Sequence, residues 1–89
     1  MKLKVGIKNI TMYGADWCGD CKRAELFFDK FDIDYNYIDV DADEDASKKV
    51  IEINKGSRSI PTIIVELQNG EQIILVEPSW DKLSEVFLA

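Results

Sequence analysis

Apolar positions along the chain change period several times, and each change marks an element. Asn9-Ile10-Thr11-Met12-Tyr13 alternates polar and apolar side chains, which predicts a strand. Gly14-Ala15-Asp16-Trp17 breaks it. From about Cys18 to Phe31 the pattern turns helical. Ala24, Phe27, Phe28 and Phe31 fall at i, i+3, i+4 and i+7, an apolar stripe that reads as core. Tyr35 to Val40 predicts a second strand. Ala42 to about Asn54 predicts a second helix, with Ala46, Val50 and Ile53 on its buried face and Gly56 just past its end. The acidic stretch Asp39 to Asp45 reads as a solvated loop and helix start. Ile60-Pro61 opens a β-branched run from Thr62 to Leu67, Asn69-Gly70 is a hairpin turn, and Gln72 to Val76 returns. Ser79 suits the N-cap of a last helix, Trp80 to Leu88, whose Trp80, Leu83 and Phe87 form a buried stripe.

The predicted order is β-α-β-α-β-β-α. A strand–helix–strand unit makes a right-handed parallel pair, and the Asn69-Gly70 hairpin adds an antiparallel one. The expected fold class is therefore α/β, a four-stranded mixed sheet flanked by helices. No linker, repeat or low-complexity block divides the sequence, so residues 1–89 are expected to form one domain.

Composition changes the picture mainly by exclusion. A formal net charge of -6 argues against nucleic acid and against an anionic membrane surface. No apolar run approaches the roughly 18 residues that span a bilayer. The start, Met1 to Ile7, lacks the apolar region of a secretory signal, so the expected compartment is the cytoplasm, and the expected state is a monomer. The chain has two cysteines and no histidine, which removes Ser-His-Asp and Cys-His chemistry.

The two cysteines are spaced as Cys18-Gly19-Asp20-Cys21, at the start of the first predicted helix. Unpaired N–H groups and the helix dipole there favour a thiolate at Cys18, which is expected open to solvent with Cys21 one turn deeper. Helical spacing puts the two Cα atoms about 5–6 Å apart, inside the disulfide window. For thiols in general, lower basicity raises the thiolate fraction but weakens its attack, so the larger gain is a better leaving group. Lys22, four residues after Cys18, either supports the thiolate or is simply solvated; Asp16 and Asp20 oppose it. A purely structural disulfide is disfavoured, because a four-residue loop restricts the unfolded chain by only about 2 kcal/mol and the cytoplasm reduces it. Zinc normally takes four N/S ligands, and this chain offers two, so no metal site is expected. Proline is permitted at a strand start, and from the residues alone a trans Pro61 is favoured.

Taken together, the residues resemble the glutaredoxin family of the thioredoxin-fold superfamily. The resemblance runs from Ile10 to Leu88. It rests on Met12-Tyr13, Trp17-Cys18-Gly19-Asp20-Cys21, Tyr37 to Val40, Arg58-Ser59-Ile60-Pro61-Thr62 and Asn69-Gly70. The chain looks most like the mycoredoxin-like glutaredoxins, through Trp-Cys-Gly-x-Cys, through Asn54, Gly56, Arg58, Pro61 and Thr62, and through Pro78-Ser79. The resemblance implies a thioredoxin-like fold, a cis Pro61 against the active site, and an Ile60 backbone that pairs with substrate as an added strand. It implies that Trp17 flanks Cys18 and that Arg58, Ile60, Ser79 and Trp80 line the substrate groove.

The implied reaction is thiol–disulfide exchange without a cofactor, with Cys18 attacking and Cys21 resolving. Its substrates would be disulfides of proteins or low-molecular-weight thiols, and its reductant a small thiol or a thioredoxin-reductase-type enzyme. Glutathione-using members usually carry Lys, Pro and a late Gly-Gly-x-Asp where this chain has Ala15, Gly19 and Val76 to Trp80, which implies a thiol other than glutathione. The alternative is a [2Fe–2S] cluster held between two subunits through the first cysteine.

Overall fold

The structure, a computed structural model, describes residues 3–89. Its elements are β1 (Ile7–Gly14), α1 (Gly19–Lys30), β2 (Asn36–Asp39), α2 (Glu44–Ile53), β3 (Thr62–Leu67), β4 (Gln72–Val76) and α3 (Trp80–Phe87). The order is the expected one, and the boundaries differ where a local polar group decides them. Helix α2 begins later than Ala42 because the Asp43 carboxylate caps it, accepting the Ala46 N–H at 3.0 Å. Helix α1 begins at Gly19 because Cys18 is itself the N-cap. Strand β1 starts earlier than Asn9, since Ile7 pairs with Leu67 across a bulge between Ile7 and Asn9.

The strands lie in the order β2-β1-β3-β4, with β1 parallel to β2 and antiparallel to β3, and β3 antiparallel to β4. Period-2 alternation then sorts two apolar faces. Ile10, Met12, Ile63, Val65 and Leu75 pack with Ala24, Phe27 and Phe28 of α1 and with Leu83 and Phe87 of α3. Tyr13 and Ile64 face the other way, with Ala46 and Val50 of α2. Cys18, Cys21 and Ile60 belong to this second, smaller cluster. The site therefore grows out of the α2-side core, beyond the carboxyl ends of the parallel pair β1–β2, where open α/β sheets place ligands.

Both long helices end in the left-handed region. After α1, Asp32 has φ 56° and the Ile33 N–H reaches back to the Phe28 carbonyl at 2.8 Å. After α2, Lys55 has φ 56° and the Gly56 N–H reaches the Ile51 carbonyl at 2.8 Å. Both are Schellman closures, which satisfy carbonyls that the helix leaves free. The β3–β4 hairpin is wider than a two-residue turn. The Gly70 N–H bonds the Leu67 carbonyl at 3.0 Å, and the Leu67 N–H bonds the Glu71 carbonyl at 2.8 Å. The Ile60–Pro61 bond is cis, as the resemblance implies and against the trans form that the residues alone favoured.

Candidate active site

Two residues at the end of β1 and the start of α1 set the dithiol. The Cys18 Sγ accepts the Cys21 N–H at 3.1 Å, so the sulfur itself satisfies one of the orphan donors of the helix start. As a thiol, Cys18 also donates to the Ile60 carbonyl at 3.7 Å. Both cysteines are free rather than bridged. Cys18 is not the open sulfur that the sequence suggests. It is 6 % exposed, and it is reached from a groove of about 400 Å³ lined by Trp17, Cys18, Gly19, Asp20, Arg58, Ser59, Ile60 and Glu77. Cys21 is fully buried. Burial above all, and then its hydrogen bond with Cys18, push the Cys21 thiol up to about 12. The pair is therefore asymmetric: one sulfur meets the groove and the other stays a neutral thiol behind it.

Gly14 makes room for that second sulfur. A Cβ at Gly14 would lie 3.0 Å from Cys21 Sγ and 3.2 Å from Tyr37 Cε1, closer than packed atoms sit without displacement. Burial and the nearby carboxylates of Glu25, Asp16 and Asp39 push the Tyr37 phenol up to about 12 as well.

The opposite wall is the Ile60-Pro61 segment, tied to the end of α2. The Thr62 hydroxyl donates to the Ser59 carbonyl at 2.7 Å and accepts from the Asn54 amide at 3.0 Å. Asn54 also donates to the Val50 carbonyl at 3.0 Å. Thr62 is fully buried, so these bonds carry the full penalty of being lost. Beyond Pro61, the Glu77 N–H bonds the Pro61 carbonyl at 2.8 Å, which brings the β4–α3 loop to the groove.

The rim is held by Asp41. Its carboxylate accepts the Trp17 indole N–H at 2.7 Å and an Arg58 N–H at 2.6 Å, while Arg58 Nε donates to the Ser47 hydroxyl at 2.8 Å. The Arg58 guanidinium first, and then the Trp17 indole, hold the Asp41 carboxyl below the usual carboxylate range. Trp17 remains 69 % exposed, with its ring available beside Cys18.

The structure thus brings Trp17, Cys18, Arg58 and Ile60 to one groove, with Pro61 buried beneath it. It does not bring Ser79, Trp80 or Lys22 there. The Ser79 hydroxyl accepts the Lys82 N–H at 3.1 Å and caps α3. The Trp80 ring packs edge-on against Phe27 at 5.0 Å, because its place on α3 faces α1. Lys22 is exposed, and its side chain makes no hydrogen bond or ion pair among the described residues. Its neighbour Arg23 instead bridges α1 to the loop before α3. It bonds the Pro78 carbonyl at 2.9 Å and 3.2 Å and Asp20 at 2.8 Å.

Asp41 and Glu77 were not singled out in the sequence; Arg23, beside Lys22 in the first turn of the helix, reads there as a solvated charge or as support for the thiolate. Asp41 lay in an acidic run that reads as solvated, and only the indole and guanidinium folded over it distinguish it. Among the described residues no three metal-ligating side chains gather at one point, so a cluster at Cys18 would draw its other ligands from outside the chain.

A groove with a nearly buried sulfur on its lining at a helix start and a fully buried thiol one turn on, over a mixed sheet, defines a dithiol oxidoreductase of thioredoxin-like fold. The sequence matches the glutaredoxin family over residues 10–71, and the chain belongs to that family. It is 39 % identical to mycoredoxin 1 of Corynebacterium glutamicum over 57 residues, which is 64 % of this chain and 70 % of that one. The crystal structure of a glutaredoxin from Archaeoglobus fulgidus superposes with a TM-score of 0.67 at 24 % identity, covering 88 % of this chain and 84 % of that one. The solution structure of oxidised thioredoxin from Plasmodium falciparum gives a TM-score of 0.55 at 26 % identity, covering 86 % and 74 %. The protein is a thiol–disulfide oxidoreductase working through Cys18-Gly19-Asp20-Cys21, in a family that acts on thiol disulfides with small-thiol reductants. Among the described residues no helix is long and apolar enough to cross a membrane.

Proposed function

We propose that Cys18 is the nucleophile, that Cys21 resolves, and that the reductant is a low-molecular-weight thiol other than glutathione. The observation that carries the assignment is the asymmetry of the pair: Cys18 lines the groove, and Cys21 is fully buried behind it. The Cys18 thiolate attacks one sulfur of R–S–S–R, forms the Cys18–S–R mixed disulfide and releases RS⁻. Cys21 then attacks the Cys18 sulfur, its proton passing to a departing thiolate. The products are RS⁻, RSH and the Cys18–Cys21 disulfide, and two electrons have moved from the dithiol to the substrate.

Timing follows from what holds the Cys21 proton. Part of the upward push on Cys21 comes from its hydrogen bond with Cys18 and from the Cys18 charge. Once Cys18 is a neutral mixed disulfide those contributions fall away, so Cys21 ionises more readily when it is needed.

Trp17, Arg58, Ile60 and Pro61 are the substrate-contacting residues in this reading, with the Ile60 backbone offered to an extended substrate. Position on the groove supports them; Ser79, Trp80 and Lys22 lack that support. The small thiol is of the kind that mycoredoxin 1 is named for. A cytoplasmic, monomeric, single-domain protein fits this reading, since a reducing compartment keeps the dithiol available.

Trapping tests the roles. Cys21→Ser, treated with bis(2-hydroxyethyl) disulfide, is expected to accumulate a mixed disulfide on Cys18, read by peptide mass spectrometry. If Cys18→Ser forms the adduct as readily through Cys21, the assignment is wrong.

A further inference from the structure

Three of the residues that line the groove carry charge, and two of them are spoken for. Arg58 is paired with Asp41 at 2.6 Å, and Asp20 is paired with Arg23 at 2.8 Å. Glu77 lines the groove and has no ion pair or side-chain hydrogen bond among the described residues. Its backbone is fixed to the cis-proline wall, through the Glu77 N–H on the Pro61 carbonyl at 2.8 Å, and that wall carries the Ile60 carbonyl beside Cys18.

Glu77 also sits at φ +48°, in the left-handed region where glycine is unstrained and a side chain is not. The Pro61 bond holds that backbone in place, and the exposed Glu77 side chain fills no core position, so its carboxylate is left to the water of the groove.

We infer that Glu77 sets the charge preference of the groove, selecting disulfides whose departing or retained half carries a cationic group near the scissile sulfur. This rests on the dithiol reading above and names the substrate class for it. A carboxylate with no internal partner attracts an ammonium or guanidinium a few ångströms away and repels a carboxylate. In a water-filled groove at low ionic strength each effect is worth about threefold. An anionic small thiol is disfavoured on the same ground. A neutral one is accepted, and a peptide disulfide flanked by lysine or arginine is favoured.

The test uses pre-reduced full-length protein in single turnovers at low salt, with three disulfides: cystamine, which is cationic, bis(2-hydroxyethyl) disulfide, which is neutral, and dithiodipropionate, which is anionic. Their intrinsic reactivities differ, so the readout is the ratio of variant to wild-type rate for each. Glu77→Gln is expected to slow cystamine about threefold, leave the neutral disulfide unchanged and speed the dianion about threefold. Glu77→Lys extends both changes, and salt collapses them. Glu77→Gly relieves the left-handed strain, so it folds at least as well and repeats the glutamine pattern.

The net charge of -6 steers cations toward the whole molecule, so a matched control is needed. Asp29→Asn, about 16 Å along α1 from Cys18 and outside the groove, removes the same unit of charge at a distance and is expected to change the three rates much less than Glu77→Gln does. If Glu77→Gln shifts all three substrates alike, or if Asp29→Asn produces the same pattern, Glu77 is not the selector. That outcome leaves the oxidoreductase reading intact wherever wild type oxidises with the neutral disulfide. A wild type inert to the neutral disulfide takes both down.

Discussion

Cys21 shows how a single buried side chain carries both stability and chemistry. Its thiol is held up to about 12 by burial first, against an ordinary value of 9.0. Between those values the folded chain keeps a proton that the unfolded chain releases, so stability is complete below about pH 9 and falls as pH rises from there toward 12. Urea midpoints of the reduced protein at pH 8 and 10.5 are expected to show that fall. Cys21→Ala is expected to make it shallower, by on the order of 1 kcal/mol per pH unit at most. A residual slope remains, because Tyr35 and Tyr37 are also pushed up, chiefly by burial. At this scale the sequence was legible where chemistry is written into a motif, as for Cys18 and Cys21. It was less so where a residue earns its role by what folds against it. Asp41 is one of several acids in a polar run until Trp17 and Arg58 close on it, and Trp80 is a plausible groove residue until α3 turns its ring onto Phe27.

Elements were easier to place than their ends. Periodicity located all seven, but α2 starts where Asp43 can cap it and ends where Lys55 accepts a left-handed turn at φ 56°. Gly56 was the expected stop signal, yet the residue just before it takes the first positive φ, and the glycine follows at φ 111°. A lysine there is strained by about 1 kcal/mol, part of which glycine would return as unfolded-state entropy. Lys55→Gly is therefore expected to stabilise the protein by on the order of 0.5 kcal/mol, read as a rise in urea midpoint with unchanged slope. Asp32 holds the same position after α1, and the corresponding glycine gains less, since aspartate tolerates this region better than lysine. The aromatic stripe of α1 was likewise readable as a stripe. That Tyr35 would add its ring to Phe28 at 4.6 Å was not, because Tyr35 precedes β2 rather than lying on the helix.

For the molecule as a whole, Phe27 is the most consequential single packing residue. Its ring lies within 6.3 Å of those of Phe28, Phe31, Trp80 and Phe87, joining α1 to α3 over the sheet. Phe27→Ala is expected to cost about 3–5 kcal/mol, a large share of the roughly 5–15 kcal/mol that holds a small domain folded. Differential scanning calorimetry should show a transition lowered by more than about 12 °C. The amino-acid sequence alone determined the element order, the parallel pair flanking α1, the apolar faces and the dithiol at a helix start. Those follow from period, caps and spacing, which act within a few residues. Only the tertiary structure decided that β3 inserts beside β1, that Cys18 ends up at the floor of a groove rather than open, and that Asp41, Arg58 and Glu77 meet around it. These are contacts between residues far apart in the chain, set by how two cores pack on one sheet, and no local pattern encodes them.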